Sequence, residues 1–168
     1  MASKIRILII IFLAVILEIS FFPALFAGQI VPDVVLVLII LWSSRKKFED
    51  IWLWAILGGF FLDLVIAQKI GINTISFVII SFLASFLRER FFIAQRAGAF
   101  LIALTLVTGG TILNWILINF LTNFMVNFSW KLLLMKIVSN LAVAIFMYFL
   151  IARYKGVFGI NESKLRMK

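Results

Sequence analysis

Residues 51 to 71 read IWLWAILGGFFLDLVIAQKIG, and from Ile51 to Ala67 the run holds a single ionisable side chain, Asp63. A carboxylate in so apolar a run is either unsolvated or matched by a group elsewhere in the fold. The run also has too few polar residues for a soluble helix, whose outward face must meet water. In lipid the requirement is reversed: outward faces are apolar, and every backbone N–H and C=O must be satisfied within the protein.

The rest of the chain extends this reading. It has 168 residues, 65% of them hydrophobic and 14% charged, with a mean hydropathy of +1.21. A soluble domain of that length needs polar side chains to cover it, so the composition implies an all-α, polytopic integral membrane protein. Cysteine and histidine are absent. Their absence removes disulfides, thiolate nucleophiles, the ordinary zinc, haem and iron–sulfur ligand sets, and the usual general base near neutral pH. No spaced catalytic motif and no Ser-Lys couple stands in for them, so no catalytic, cofactor or metal residue is predicted. The net charge of +9 comes from short basic clusters between apolar runs, a pattern of membrane topology and not of nucleic-acid binding.

Six apolar stretches can be drawn: Ile5 to Ala27, Ile30 to Trp42, Ile51 to Ala67, Ile72 to Leu87, Ala97 to Leu121 and Leu132 to Ala152. A spanning helix needs about 20 residues. The first, fifth and sixth qualify easily and the third and fourth are marginal. The second is short enough to be re-entrant unless Ser43 to Lys47 extend it, with Arg45 and Lys46 snorkelling to the headgroups. With six spans and both termini cytoplasmic, all of the 16 basic residues except Lys69, Lys131 and Lys136 fall inside. Removing one span would put a basic cluster on the wrong side. One six-helix domain over 1–153 and a basic cytoplasmic tail over 154–168 follow. A signal peptide over Lys4 to Ala27 fits less well, because that stretch carries Glu18 and bulky Phe21 and Phe22 and lacks a small-x-small triplet. Trp42, Trp52, Trp54 and Trp130 read as interfacial anchors.

Three acids lie inside apolar runs: Glu18, Asp33 and Asp63. At about 1.5 Å per residue, Asp63 falls roughly 18 Å from the start of its helix, a depth related to those of the other two. Acids so placed pair, protonate or face water. The expectation is a charge cluster of Glu18, Asp33 and Asp63 partly neutralised by Lys136, with Asn114, Asn119 and Asn140 adding bonds between helices. Gly58 and Gly59, and Gly109 and Gly110, read as sites of close helix approach. Pro32 suits the first turn of the second helix, which places Asp33 near its positive end. Gly71 reads as the turn after the third helix. The hexamers GGFFLD at 58–63 and GGTILN at 109–114 echo each other.

VPDVVLVLIILW at 31–42, a short polar loop, then AILGGFFLDLVIAQKIGINTISF at 55–77 together resemble the rod-shape-determining MreD family. The shared features are a Pro-Asp opening the second helix, a Gly-rich helix ending in an aliphatic-Asp pair, and a short turn with Gly. They cover Pro23 to Phe77; beyond that the resemblance rests on size, span count and topology. Ala67-Gln68-Lys69 departs from the smaller turn residues common in that family. The resemblance implies a six-helix fold like that of energy-coupling-factor transporter S-components. It also implies a non-enzymatic subunit of the bacterial elongation machinery in the cytoplasmic (inner) membrane, binding the bitopic protein MreC. Through it, such proteins help link MreB filaments to the peptidoglycan glycosyltransferase and transpeptidase pair. Pro32, Asp33, Gly58, Gly59, Asp63 and Gly71 would be its partner or helix-packing residues. Whether the chain also self-associates stays open. The competing reading is a substrate-binding subunit of an energy-coupling-factor vitamin transporter, although the first helix lacks the Ala-x-x-x-Ala pair by which such subunits dock.

Overall fold

The computed structural model describes residues 2–25, 30–66, 71–90, 96–122 and 129–154. These residues form six helices and no strand. Helix α1 covers Ala2–Ile16 and continues through a π-helical turn, Leu17–Phe21, into a last α-helical turn, Phe22–Leu25. The others are α2 (Val34–Ser43), α3 (Trp52–Val65), α4 (Ile72–Arg90), α5 (Arg96–Thr122) and α6 (Trp130–Arg153), with a 3-10 turn at Phe48–Asp50 before α3. The outer turn at 67–70, with Lys69, and the basic tail from Lys155 lie outside the described residues.

Among the described residues four segments are long and apolar enough to cross a membrane: Ile5–Leu25, Ile72–Arg90, Phe100–Phe120 and Trp130–Arg153. Helices α2 and α3 are shorter, with 10 and 14 residues. At about 1.5 Å per residue, α2 is only ~15 Å long against a hydrocarbon core of ~30 Å. It is not lipid-facing. Every residue from Val34 to Ser43 is buried, because α2 packs against α1, α3, α4, α5 and α6 at once. A half-length helix preceded by non-helical Ile30 to Asp33 is tolerated at membrane depth only where protein surrounds it, and this one is surrounded.

The π-helical turn in α1 has a local cause. Pro23 has no N–H to donate to the carbonyl four residues back, and the Phe22 N–H bonds to Leu17 O, five residues back. The helix therefore carries on past the missing bond in a wider register. Pro32, placed in the first turn of α2 by sequence, lies just ahead of it: Asp33 occupies the N-cap position. The anchor reading fails for Trp42 and Trp54, which are 1% and 9% exposed core residues; Trp52 and Trp130 do face outward.

The glycines are not equivalent. A Cβ on Gly58 would lie 2.9 Å from Val35 Cγ1 and one on Gly110 2.5 Å from Ile40 Cδ1, so these two seat α2 against α3 and α5 through side chains that can shift. A Cβ on Gly59 would lie 2.5 Å from Thr74 Cα and 2.6 Å from Thr74 N, where only backbone can give way. Gly109 meets nothing within 4 Å. We expect Gly59→Ala to destabilise the protein by about 1–3 kcal/mol or more, as overpacking does. Gly109→Ala should be neutral or stabilising by up to about 1 kcal/mol, because alanine is the better helix former. Thermal unfolding of the two variants in detergent measures both, and equal midpoints would contradict a backbone contact at Gly59.

Candidate functional site

The close approach at Gly59 puts the start of α4 against the end of α3, within reach of Asp63 one turn further on. Asp63 is 1% exposed and its carboxylate is fully occupied. Its Oδ1 accepts the Asn73 N–H at 2.9 Å. Its Oδ2 accepts the N–H groups of Gly71 at 2.9 Å and Thr74 at 3.1 Å and the Thr74 hydroxyl at 2.7 Å. These are N–H groups that a helix start leaves without intrahelical partners, gathered at the positive end of its dipole. Gly71, with φ of 103°, supplies the left-handed turn that aims its N–H at Asp63.

Glu18 does for α2 what Asp63 does for α4. It lies on the π-helical turn, is buried, and accepts the Val35 N–H at 2.9 Å through Oε2. Asp33, the N-cap residue itself, makes no side-chain cap. Its carboxylate turns to α6, where Lys136 Nζ lies 2.7 Å from Oδ1 and Asn140 Nδ2 donates to Oδ2 at 3.4 Å. Asn140, wholly buried, also accepts the Asp33 N–H through Oδ1 at 2.7 Å and donates to Thr111 Oγ1 at 3.0 Å. Thr111 in turn donates its hydroxyl to Val107 O at 2.8 Å. One hydrogen-bonded chain thus ties α2, α5 and α6, and Glu18 adds α1.

Of the four residues expected to share a charge cluster, Glu18, Asp33 and Lys136 come together and line one cavity of about 460 Å³. Asp63 stands apart, its hydrogen bonds all directed to residues 71 to 74. Of the asparagines, Asn140 joins helices, Asn119 donates to Trp115 O on its own helix, and the Asn114 carbonyl oxygen has no hydrogen-bond partner among the described residues. Thr74 and Thr111 escaped the sequence reading. Thr74 had a usable signal, since Gly-Ile-Asn-Thr opens a helix with polar residues eight to eleven positions after an orphan Asp; Thr111 had none.

The two ends of the bundle differ. The cavity lies where α1, α3 and α5 finish and α2, α4 and α6 begin. At the other end sit Arg45, 4.6 Å over the Tyr148 ring, Lys46, 5.9 Å over Trp42, Arg90, 5.4 Å over Phe86, and Arg88 and Arg153 in the last turns of α4 and α6.

Asp63→Ala leaves the buried Asn73 N–H, the half-buried Gly71 and Thr74 N–H groups and a hydroxyl without this acceptor, and should cost at least about 3 kcal/mol, since bonds to a charged group contribute ~1.5–3 kcal/mol each. Asp63→Asn should cost less, because one amide oxygen remains, and Thr74→Val less again. Unfolding midpoints in that order are expected, and a fully stable Asp63→Ala protein would refute the cap. A family model described as rod shape-determining protein MreD matches residues 1–155 of the chain. No curated protein and no solved structure gives a match. With the match running from the first residue through the last described helix, the chain belongs to the MreD family of rod shape-determining proteins.

Proposed function

We propose that this protein is a non-enzymatic subunit of the bacterial cell-elongation complex in the cytoplasmic membrane. In this reading it binds an MreC-like bitopic protein and helps couple MreB filaments on the inner side to the peptidoglycan glycosyltransferase and transpeptidase pair on the outer side. The observation that carries this reading is the family match over residues 1–155. The geometry agrees with it. Asp63, Glu18, Asp33, Asn140 and Thr111 fasten one helix to the next, which stiffens a body that other membrane helices can dock on. Gly58 and Gly59 act in the same sense by letting helices approach, Gly71 by the turn that aims its N–H at Asp63, and Pro32 is buried just ahead of α2.

Both termini are cytoplasmic in this proposal, with the cavity end outward. The support is the gathering of Arg45, Lys46, Arg88, Arg90 and Arg153 at the opposite end, the side on which short basic loops are retained.

Two measurements test the reading. The tagged protein, extracted from membranes in mild detergent, should recover the MreC-like partner, and a plasmid copy should restore rods to cells depleted of the chromosomal one. A well-folded protein that does neither would overturn the role. Because the chain has no cysteine, single cysteines report topology directly. Cysteine at Ser44 or Glu89 should react with a membrane-impermeant maleimide only in opened cells, and cysteine at Ser129 should react in intact ones. The reverse pattern would invert the orientation.

A further inference from the structure

The cavity holds polar groups that the capping network does not use up. Its walls are mostly apolar, with Ile19, Val65, Ile66 and Phe77 among them, but Glu18, Asp33, Asn73 and Lys136 also line it. Two carboxylates face one lysine there. Lys136 Nζ has three donors and uses one on Asp33, so it keeps capacity for a further anion. Asn73 is the independent observation. It is 6% exposed and its backbone N–H goes to Asp63, yet no hydrogen bond joins its carboxamide to any described residue. This carboxamide is not sealed inside the protein: it opens on the cavity, which spares it the cost of an amide desolvated without a partner. One that lines a cavity has a place to find its partner. At about 460 Å³ the space lies within the ~300–1,000 Å³ typical of small-ligand sites, and an apolar wall with a few convergent polar groups is their usual build.

We propose that this cavity binds a ligand with a primary ammonium group beside an anionic group, held by Glu18 and Asp33 at the cationic end, Lys136 at the anionic end and Asn73 between. An ethanolamine phospholipid headgroup and free phosphoethanolamine share this chemistry. The cationic end matches the excess carboxylate, and the apolar wall suits hydrocarbon next to the headgroup. Neither shape-complex membership nor a particular partner enters this assignment.

The wild-type protein in nanodiscs of equal phosphatidylethanolamine and phosphatidylglycerol, released into native mass spectrometry, should retain the ethanolamine lipid about tenfold more, the scale of one charge-assisted hydrogen bond. Asn73→Leu, which leaves Glu18 and Asp33 in place, should cut that preference without abolishing it. Its unfolding midpoint should stay close to wild type, since the carboxamide bonds nothing in the fold. Ile66→Trp, which fills the cavity from a position 40% exposed, should have the same effect and guards against misfolding of the first variant. Calorimetry of delipidated protein with O-phosphoethanolamine separates the sources. Binding there that Asn73→Leu weakens supports a free ligand, whereas lipid preference without such binding supports the headgroup. Equal retention of both lipids with no calorimetric binding overturns the site, as does ligand binding that neither substitution reduces.

Discussion

A helix that begins inside a membrane protein exposes backbone N–H groups with no water to take them, and this fold depends on how that is resolved. Two of its helix starts are met by carboxylates borrowed from neighbouring elements, Glu18 for α2 and Asp63 for α4. Each acid lies near the end of the preceding helix, so each cap also closes a hairpin. A carboxylate in this position gains the helix dipole and several charge-assisted hydrogen bonds together, which offsets a desolvation cost that an unpaired buried acid could not bear. Gly59 makes the geometry possible, because any side chain there would hold the backbone of Asn73 and Thr74 away from Asp63.

The same constraint explains why the least exposed helix is the shortest. With Val34 to Ser43 enclosed on all sides, α2 needs no lipid-matching length, but its start then lies deep among neighbours. Glu18 reaches Val35 from the π-helical turn ahead of Pro23, and Asp33 is left to engage α6 through Lys136 and Asn140. Breaking the lysine contact alone would strand a partly buried carboxylate, so the pair and the asparagine work as a unit.

The fold class was legible from composition, and the six helices from apolar runs with basic clusters between them. Legibility stopped where lipid and protein interior look alike. VVLVLIILWS reads as the most lipid-like segment, yet it is the buried centre, because a side chain that suits acyl chains suits a protein core equally well. Trp42 misled for the same reason. The acids were found as anomalies, and Glu18, Asp33 and Lys136 do converge, but Asp63 was assigned to their company because depth along a helix does not reveal which way a side chain turns. Three of its four hydrogen bonds come from backbone N–H groups, which carry no residue-type signal; only the Thr74 hydroxyl left one.

The echo between GGFFLD and GGTILN shows how far such a pattern can be trusted. In both hexamers the second glycine, Gly59 or Gly110, makes the tighter approach, so the packing half of the motif is shared. The polar half is not. Helix α3 stops two residues after Asp63, leaving the carboxylate free to turn onto the next helix start, whereas α5 runs on to Thr122 and the Asn114 oxygen has no partner among the described residues. Helix α6 instead begins at an outward-facing Trp130 and lends Lys136 and Asn140 to α2. A chain stop at the right distance, not the acid or amide itself, therefore decides whether such a residue becomes a cap. The third hairpin, lacking that stop, is fastened by side chains along its length, Asn140 to Thr111 within it and Lys136 and Asn140 to Asp33 ahead of α2.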